Sequence, residues 1–380
     1  MTDEARADGT ITRWRGGTVL APDGPREGHD LVARDGRVVG IEPAREASAL
    51  STKTARGETS IDAAGRLVAP GFVDLHVHGG GGADLVLDGT PEALATTARH
   101  HRAHGTTAFL ATLMSAPVDR LIDALGSTRE VTRIEGGAEV LGFHLEGPFL
   151  SPRRGGAHRP EDLRDPDPAL LDRLVEASGG RVRLVTIAPE LPGALELIGR
   201  LVRDGIVVAI GHTDADERTV RRALDAGATH ATHLFNAMRP FHHRDPGATG
   251  ALLDDARATA ELICDGHHLA GAAIRLARRA KGRERIALVT DCMGAAPTEG
   301  ATIDLFGRTA TVRNGAPRFD DGTLAGSVLT MADAVARYRA ATGVSLAEAA
   351  EAASRVPARV LGLARKGTFE IGADADVVLL

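Results

Sequence analysis

Pro70–Gly79 reads PGFVDLHVHG. A Pro-Gly break opens it, an apolar and β-branched run follows, and two histidines close it. Side chains alternate along a strand, so His76 and His78, two apart, point to the same side. A buried strand ending on paired imidazoles is the opening of a metal site, provided other ligands join it.

C-terminal to this stretch, apolar β-branched runs alternate with amphipathic helical stretches such as PEALATTARHHRAHG (91–105) and ERTVRRALDAGA (217–228), the pattern of a parallel sheet. The strands expected are Phe72–Leu75, Thr106–Leu113, Val140–Leu145, Arg183–Ile187, Ile206–Ile210, Thr229–Leu234, Thr259–Cys264 and Arg285–Thr290. Eight such runs in this order predict an α/β fold closed as a (β/α)8 TIM-like barrel. Ala301–Phe319 reads as an inserted hairpin, followed by helices through SVLTMADAVARYRAA, SLAEAAEAA and SRVPARVLGL. On the N-terminal side, GGTVLAPDG, DLVARDGRVVGIEP and TSIDAAGRLVAP look like hairpins of a small β unit, and GTFEIGADADVVLL at the far end has the same texture. The expected organisation is a disordered tail over residues 1–10, a barrel over 70–363, and a small β-sandwich assembled from 11–69 and 364–380. The sequence stops in mid-strand, which leaves room for the natural chain to run on past Leu380.

Composition narrows the function classes. The 380 residues include no run of 18 apolar residues, and the start MTDEARADGT is polar, so neither a secretory signal nor a membrane span is expected and the cytoplasm is the default address. A net charge of −6 offers no general attraction to nucleic acid or anionic membrane. Two cysteines, Cys264 and Cys292, exclude a disulfide framework, and both read as small packing residues. Histidine is the outlier at 15 copies, and where they fall matters more than their number.

In a (β/α)8 barrel the catalytic groups sit at the C-terminal ends of the strands, where loops vary without disturbing the core. Ligand-type residues cluster at that register: His76 and His78 on strand 1, Glu146 in HLEGP on strand 3, His212 in AIGHT on strand 5, His233 in THLFN on strand 6, His267 and His268 in CDGHHL on strand 7, and Asp291 in LVTD on strand 8. Any one of these taken alone reads as readily as a satisfied core histidine or a capping carboxylate. Their convergence at one end of one barrel points instead to a divalent metal, for which imidazole and carboxylate donors are suited. The remaining histidines have plainer readings. His100, His101 and His104 lie on a helix and are expected to be solvated; His29, His242 and His243 fall in polar loops; His144 suits the surroundings of ligands rather than the ligand set, and His230 reads either as interior packing or as part of those surroundings.

These motifs, in this order, resemble the amidohydrolase superfamily and, more narrowly, its N-acetylglucosamine-6-phosphate deacetylase family. The likeness runs from PGFVDLHVHG through HLEGPFLSPRRGGAH, APE, GHTDA, THLFNAM, DPG, CDGHHL, VTDCMGAA and LAGSVLTM to GADADVVLL. The resemblance implies metal ligation by Glu146, His212 and His233, with Asp291 as the catalytic aspartate. It implies substrate contacts from Ala157, His158, Asn236, Ala237, His268, Leu324, Ala325 and Gly326. Arg244 matches a phosphate-binding arginine that the family can draw from the partner subunit, which implies a homodimer. Some members replace the strand 1 pair and hold one ion. This chain keeps His76 and His78, which is compatible with a second ion bridged by Glu146. The cofactor implied is one or two divalent ions, zinc first, with Fe2+, Mn2+ or Co2+ as alternatives. The activity implied is hydrolysis of the N-acetyl group of N-acetyl-D-glucosamine 6-phosphate, in amino-sugar catabolism and cell-wall recycling.

Neighbouring readings are tested by single residues. Cyclic-amide hydrolases of the superfamily commonly bridge their metals with a carbamylated lysine at a strand end, and none of Lys53, Lys281 or Lys366 stands there. Its deaminases generally lack the glutamate of HLEGP. A deacetylase for the galactosamine isomer of the same sugar phosphate is set aside by none of these single residues. A non-catalytic barrel would be expected to have lost Asp291 or a ligand, and all are present.

Overall fold

The computed structural model describes residues 9–44, 58–295 and 298–380. Of the tail expected over 1–10, all but Gly9 and Thr10 lies outside the described residues. The central sheet has eight strands: β1 (Phe72–Val77), β2 (Thr106–Met114), β3 (Glu139–Glu146), β4 (Val182–Ile187), β5 (Val207–Ile210), β6 (His230–Ala231), β7 (Thr259–Ile263) and β8 (Ile286–Val289). They pair in chain order, and every pairing is parallel. Every residue of β1, β2, β7 and β8 is buried, as expected of strands covered on both faces.

Helices on the outside complete the barrel: α1 (Pro91–Ala103), α2 (Val118–Thr128), α3 (Pro168–Ala177), α4 (Ala194–Arg203), α5 (Glu217–Asp225), α6 (Gly247–Asp254), α7 (Gly271–Lys281), α8 (Met331–Thr342), α9 (Leu346–Ala353) and α10 (Arg355–Val360). The local reasons are ordinary ones. Thr90 caps α1 by accepting from the Ala93 amide, Pro91 supplies a preset φ in the first turn, and Ala93, Leu94, Thr97, Ala98 and His101 form the buried stripe.

The barrel closes between β8 and β1. The Asp291 amide donates to the His76 carbonyl at 2.9 Å, and Val77 and Cys292 form a parallel bridge. Beneath them Asp74 accepts from the Thr290 hydroxyl at 2.6 Å and from the Thr290 and His76 amides. Burial pushes the Asp74 carboxyl up to about 7 against those bonds. A second polar layer crosses the interior. Thr112 accepts from the Val77 amide and contacts His144 Nδ1 (3.2 Å), His144 Nε2 meets Thr186 (2.8 Å), and Thr186 meets Thr232 (2.7 Å). These side chains are buried and satisfied, so the layer fixes register rather than weakening the core.

The small domain is one six-stranded sheet. Its long strand, Ile11–Ala21, carries Glu58–Asp62 along its first half and Leu67–Pro70 along its second, and the final strand Val377–Leu379 pairs with Leu67–Pro70. Register breaks between Trp14 and Val19 bend it around a core of Trp14, Val19, Leu31, Val38, Val68 and Phe369. Lys366, largely buried, ties this unit to the barrel through Glu139 at the start of β3, together with Asp374 and Asp376.

Three expectations need correction, the first being that His29, expected in a polar loop, lies on the paired strand Gly24–Arg34 of the small sheet. The strand expected over Thr229–Leu234 holds regular pairing only at His230–Ala231, because the chain turns into left-handed backbone at His233, Phe235 and Ala237. The helix histidines are not all solvated: His100 and His104 are half-buried, whereas His101 is buried and contacts the Gly79 carbonyl through Nε2 at 3.0 Å.

Burial drives His101 down to about 4, against 6.5 when exposed. The unfolded chain therefore binds the extra proton between those values. This part of the stability is complete above about pH 6.5 and is lost as pH falls toward 4, by about 3 kcal/mol. His101→Gln is expected to lose less Tm than the parent between pH 7 and pH 4.5. Equal losses in calorimetry would count against it.

Candidate metal centre

At the C-terminal ends of the strands, side chains distant in sequence converge on one buried carboxylate. Glu146 Oε1 lies 3.0 Å from His212 Nε2 and 3.0 Å from His233 Nε2, and the two nitrogens are themselves 3.0 Å apart. Its other oxygen, Oε2, is 3.2 Å from His78 Nε2 and 3.3 Å from His158 Nε2. His76 and His78 meet at 3.0 Å through their Nε2 atoms, and Asp291 Oδ1 faces both, at 3.4 and 3.2 Å. Two groups result that could hold an ion, His76/His78/Glu146 and Glu146/His212/His233, sharing Glu146.

The donors fit a metal. One ion with bonds of about 2.0–2.1 Å reaches all three atoms of a triangle with 3.0 Å edges. The ring orientations point the same way, because His212 Nδ1 is committed to the Arg154 carbonyl (2.9 Å), leaving Nε2 as donor toward the centre. Arg154 is in turn held by Asp214, and Glu190 of the APE motif accepts from Thr213 and from the Asp214 amide. His158 has the opposite arrangement. The Ser115 amide donates to its Nδ1 at 3.2 Å, so Nε2 carries the proton and donates to Glu146. Burial and the charge of His212 push His158 down to about 4, consistent with a neutral donor.

The electrostatics favour positive charge here. Burial opposes charge on His76 and His78, yet Asp291 and Glu146 hold His76 well above the ordinary imidazole range and lift His78 to about 9. Burial likewise opposes charge on the two carboxylates. Against it, His76 with its neighbours holds Glu146 well below the carboxylate range and Asp291 at about 2. A divalent cation meets the same demand.

The backbone is bent to this purpose. His212, His233 and Asp291 have φ of 46°, 26° and 50°, left-handed values that L side chains seldom adopt. Their clustering at one site is the signature of strain held in place by function. The Asp291 carbonyl accepts from Ser327 at 2.8 Å, and Gly326 lies so close that an added Cβ would stand 2.9 Å from it.

A cavity of about 220 Å³ opens over this centre. Ala157, His158, Asn236, Ala237, His268, Leu324, Ala325 and Gly326 line it with His78, Glu146, His212, His233 and Asp291, so these candidates are brought together. His76 lies beneath, fully buried. His268 is fixed by Asp265, whose carboxylate takes its Nδ1 at 2.7 Å and the amides of His267 and His268 at 2.8 Å. Arg244 is not among the walls: it sits on an exposed loop beside Phe241, His242 and His243, bonded to His243. The insertion expected over Ala301–Phe319 is three strands, Thr302–Leu305, Arg308–Arg313 and Ala316–Arg318, and Leu305 reaches the cavity. Arg159 and Arg308 pin it to the loop after β3 through the carbonyls of Phe306 and Ala157.

Several residues around the site escape motif reading. Glu261 on β7 joins His76, His230 and the His233 amide. Its signal is an acid inside the fully buried strand TAELI, a place where a charge survives only with partners. Asp84, Met114, Met293 and Thr323 also line the cavity and carry no signal short of the fold itself.

The amidohydrolase family pattern matches residues 67–380. An N-acetylglucosamine-6-phosphate deacetylase of Bacillus subtilis is 40% identical over 319 residues, 83% of this chain and 80% of that protein. An N-acetylgalactosamine-6-phosphate deacetylase of Escherichia coli O157:H7 is 39% identical over 364 residues, 95% of this chain and 93% of that one. Among solved structures, N-acetyl-D-glucosamine-6-phosphate deacetylase from Mycobacterium smegmatis superposes with a TM-score of 0.87 at 38% identity, over 98% of this chain and 95% of that one. A variant of the M. smegmatis enzyme in complex with N-acetyl-D-glucosamine-6-phosphate gives 0.86 at 37% identity, with the same shares covered.

Glu146→Gln removes the charge shared by both candidate groups, and metal content by elemental analysis is expected to fall by at least half. Unchanged metal would remove Glu146 from the ligand set.

Proposed function

The chain belongs to the amidohydrolase family, and from that premise we propose that it hydrolyses the N-acetyl group of N-acetyl-D-glucosamine 6-phosphate, yielding acetate and D-glucosamine 6-phosphate. One observation carries the reading: an aspartate and a triangle of metal donors face a single cavity, with His268 on its wall. The names and coverage of the similar proteins support the substrate.

In this proposal Glu146, His212 and His233 hold the essential ion. Bound there, a divalent metal would serve as a Lewis acid and lower the pKa of its water toward neutrality. Asp291 takes the proton from the attacking water and delivers it to the amide nitrogen as the C–N bond breaks. His268, held through Nδ1 by the Asp265 carboxylate, donates from Nε2 to the developing oxyanion as an imidazolium, a charge that Asp265 balances, and each well-set donor of this kind contributes roughly 3–4 kcal/mol. His158, Asn236 and Ala237 position the sugar, and Leu324, Ala325 and Gly326 keep water from the reacting face. Arg244 binds the phosphate, for which a planar guanidinium is suited.

Zinc, a homodimer and a cytoplasmic address complete the proposal. Mixed nitrogen and oxygen donors suit zinc. Arg244 stands outside the cavity wall, beside Phe241 at 59% exposure, an arrangement that a partner subunit would turn to use. A phosphorylated sugar is charged and is held inside the cell membrane. A second reading, deacetylation of N-acetylgalactosamine 6-phosphate, is favoured by the E. coli relative. Rates of acetate release from the two isomers decide between them, and release from neither would refute both.

Asp291→Asn is expected to retain most bound metal and to lose about 10²–10⁴ in kcat; near-normal turnover would remove its proton-transfer role. Arg244→Ala is expected to raise KM for the phosphorylated sugar about 10–100-fold and to leave unphosphorylated N-acetylglucosamine nearly unaffected. Equal effects on both sugars would overturn the phosphate assignment.

A further inference from the structure

Glu261 is fully buried on β7 and belongs to neither candidate ligand group, yet it touches both. Its Oε2 lies 3.2 Å from His76 Nδ1 and 3.0 Å from the His233 amide nitrogen, while Oε1 lies 2.9 Å from His230 Nε2. The bond at His76 places a hydrogen on Nδ1, which leaves Nε2, beside His78, Glu146 and Asp291, as the ring atom that would meet an ion. The bond at His233 holds the backbone of a residue whose φ of 26° is unfavourable by itself. No comparable anchor serves the other member of the strand 1 pair, since His78 Nδ1 has no hydrogen-bond partner among the described residues.

Charge tells the same story. Glu146, Asp291 and Glu261 put three carboxylates in one buried cluster, and Glu261 meets it through His76. An acid that served only to satisfy His230 would have no need to stand against His76 as well.

We propose that Glu261 is a positioning residue that couples the two ion positions of this chain, and that occupancy of the His76/His78/Glu146 position depends on it. The inference rests on reading the site as a metal centre and is independent of the sugar, so metal counting tests it whether or not the substrate assignment stands.

The experiment is equilibrium binding of Zn2+ to the full chain, followed by competition with a chelator and elemental analysis, on the parent and on Glu261→Gln. The parent is expected to hold two ions per chain. The variant is expected to bind one ion about as tightly as the parent does and the other 10–100-fold more weakly. In a His76→Gln background, adding Glu261→Gln is expected to weaken the remaining ion only through His233, by less than it weakens the second ion in the parent. If Glu261→Gln does not yield folded protein, Glu261→Asp keeps the charge but shortens the reach to His76, and the same selective loss is expected. Two ions held with parental affinity in either folded variant would overturn the proposal, as would a parent that takes up a single ion at saturating Zn2+.

Discussion

Glu146 puts a carboxylate in a place water barely reaches, and the architecture around it follows from making that tolerable. An isolated buried carboxylate costs several kcal/mol even after relaxation, so it persists only where opposite charge or good donors surround it. Here each oxygen has two imidazoles within 3.3 Å, drawn from four separate segments of the barrel. Bringing those rings to one point requires strands that end at a common level, which parallel strands closed into a barrel provide. It also requires sharp turns straight after the ligands, which explains the left-handed backbone at His212, His233 and Asp291.

Two polar layers underneath hold that geometry. Asp74 and Thr290 join β8 to β1 directly below Asp291, while the Thr112–His144–Thr186–Thr232 chain spans the interior from β2 to the end of β6. Such networks stabilise only when every member is satisfied. Their place just beneath the reactive end is where a shift of a few tenths of an ångström would do most harm to ligand geometry. Rigid floor and variable loops thus divide the work: the strands set the ligands, and the insertion after β8 with the loops after β3 and β6 shapes what enters.

The sequence was most legible where strand alternation forces ligands onto one side. PGFVDLHVHG, HLEGP, GHT, THLFN and VTD each place a chemical group at a strand end, and β-branched runs upstream mark the strands themselves. It was least legible where the meaning of a residue depends on a partner far away in the chain. Glu261 and His76 are separated by 185 positions, and Thr186 and Thr232 look like ordinary strand threonines until the barrel brings them together. His101 misled because helical periodicity says which face is buried only once the neighbouring β1–α1 loop is in place. Arg244 illustrates the opposite case, a residue with a clear motif spacing and an exposed position in a single chain.

Amide hydrolysis that depends on a metal ion held at Glu146 is tested most directly by one measurement. Acetate release from N-acetyl-D-glucosamine 6-phosphate is followed in the native protein, after removal of metal by chelation, and after readdition of Zn2+, Fe2+, Mn2+ or Co2+. The expected result is acetate formed one for one with glucosamine 6-phosphate, abolished by chelation and restored by at least one of the ions. Acetate release that survives complete removal of metal would contradict it.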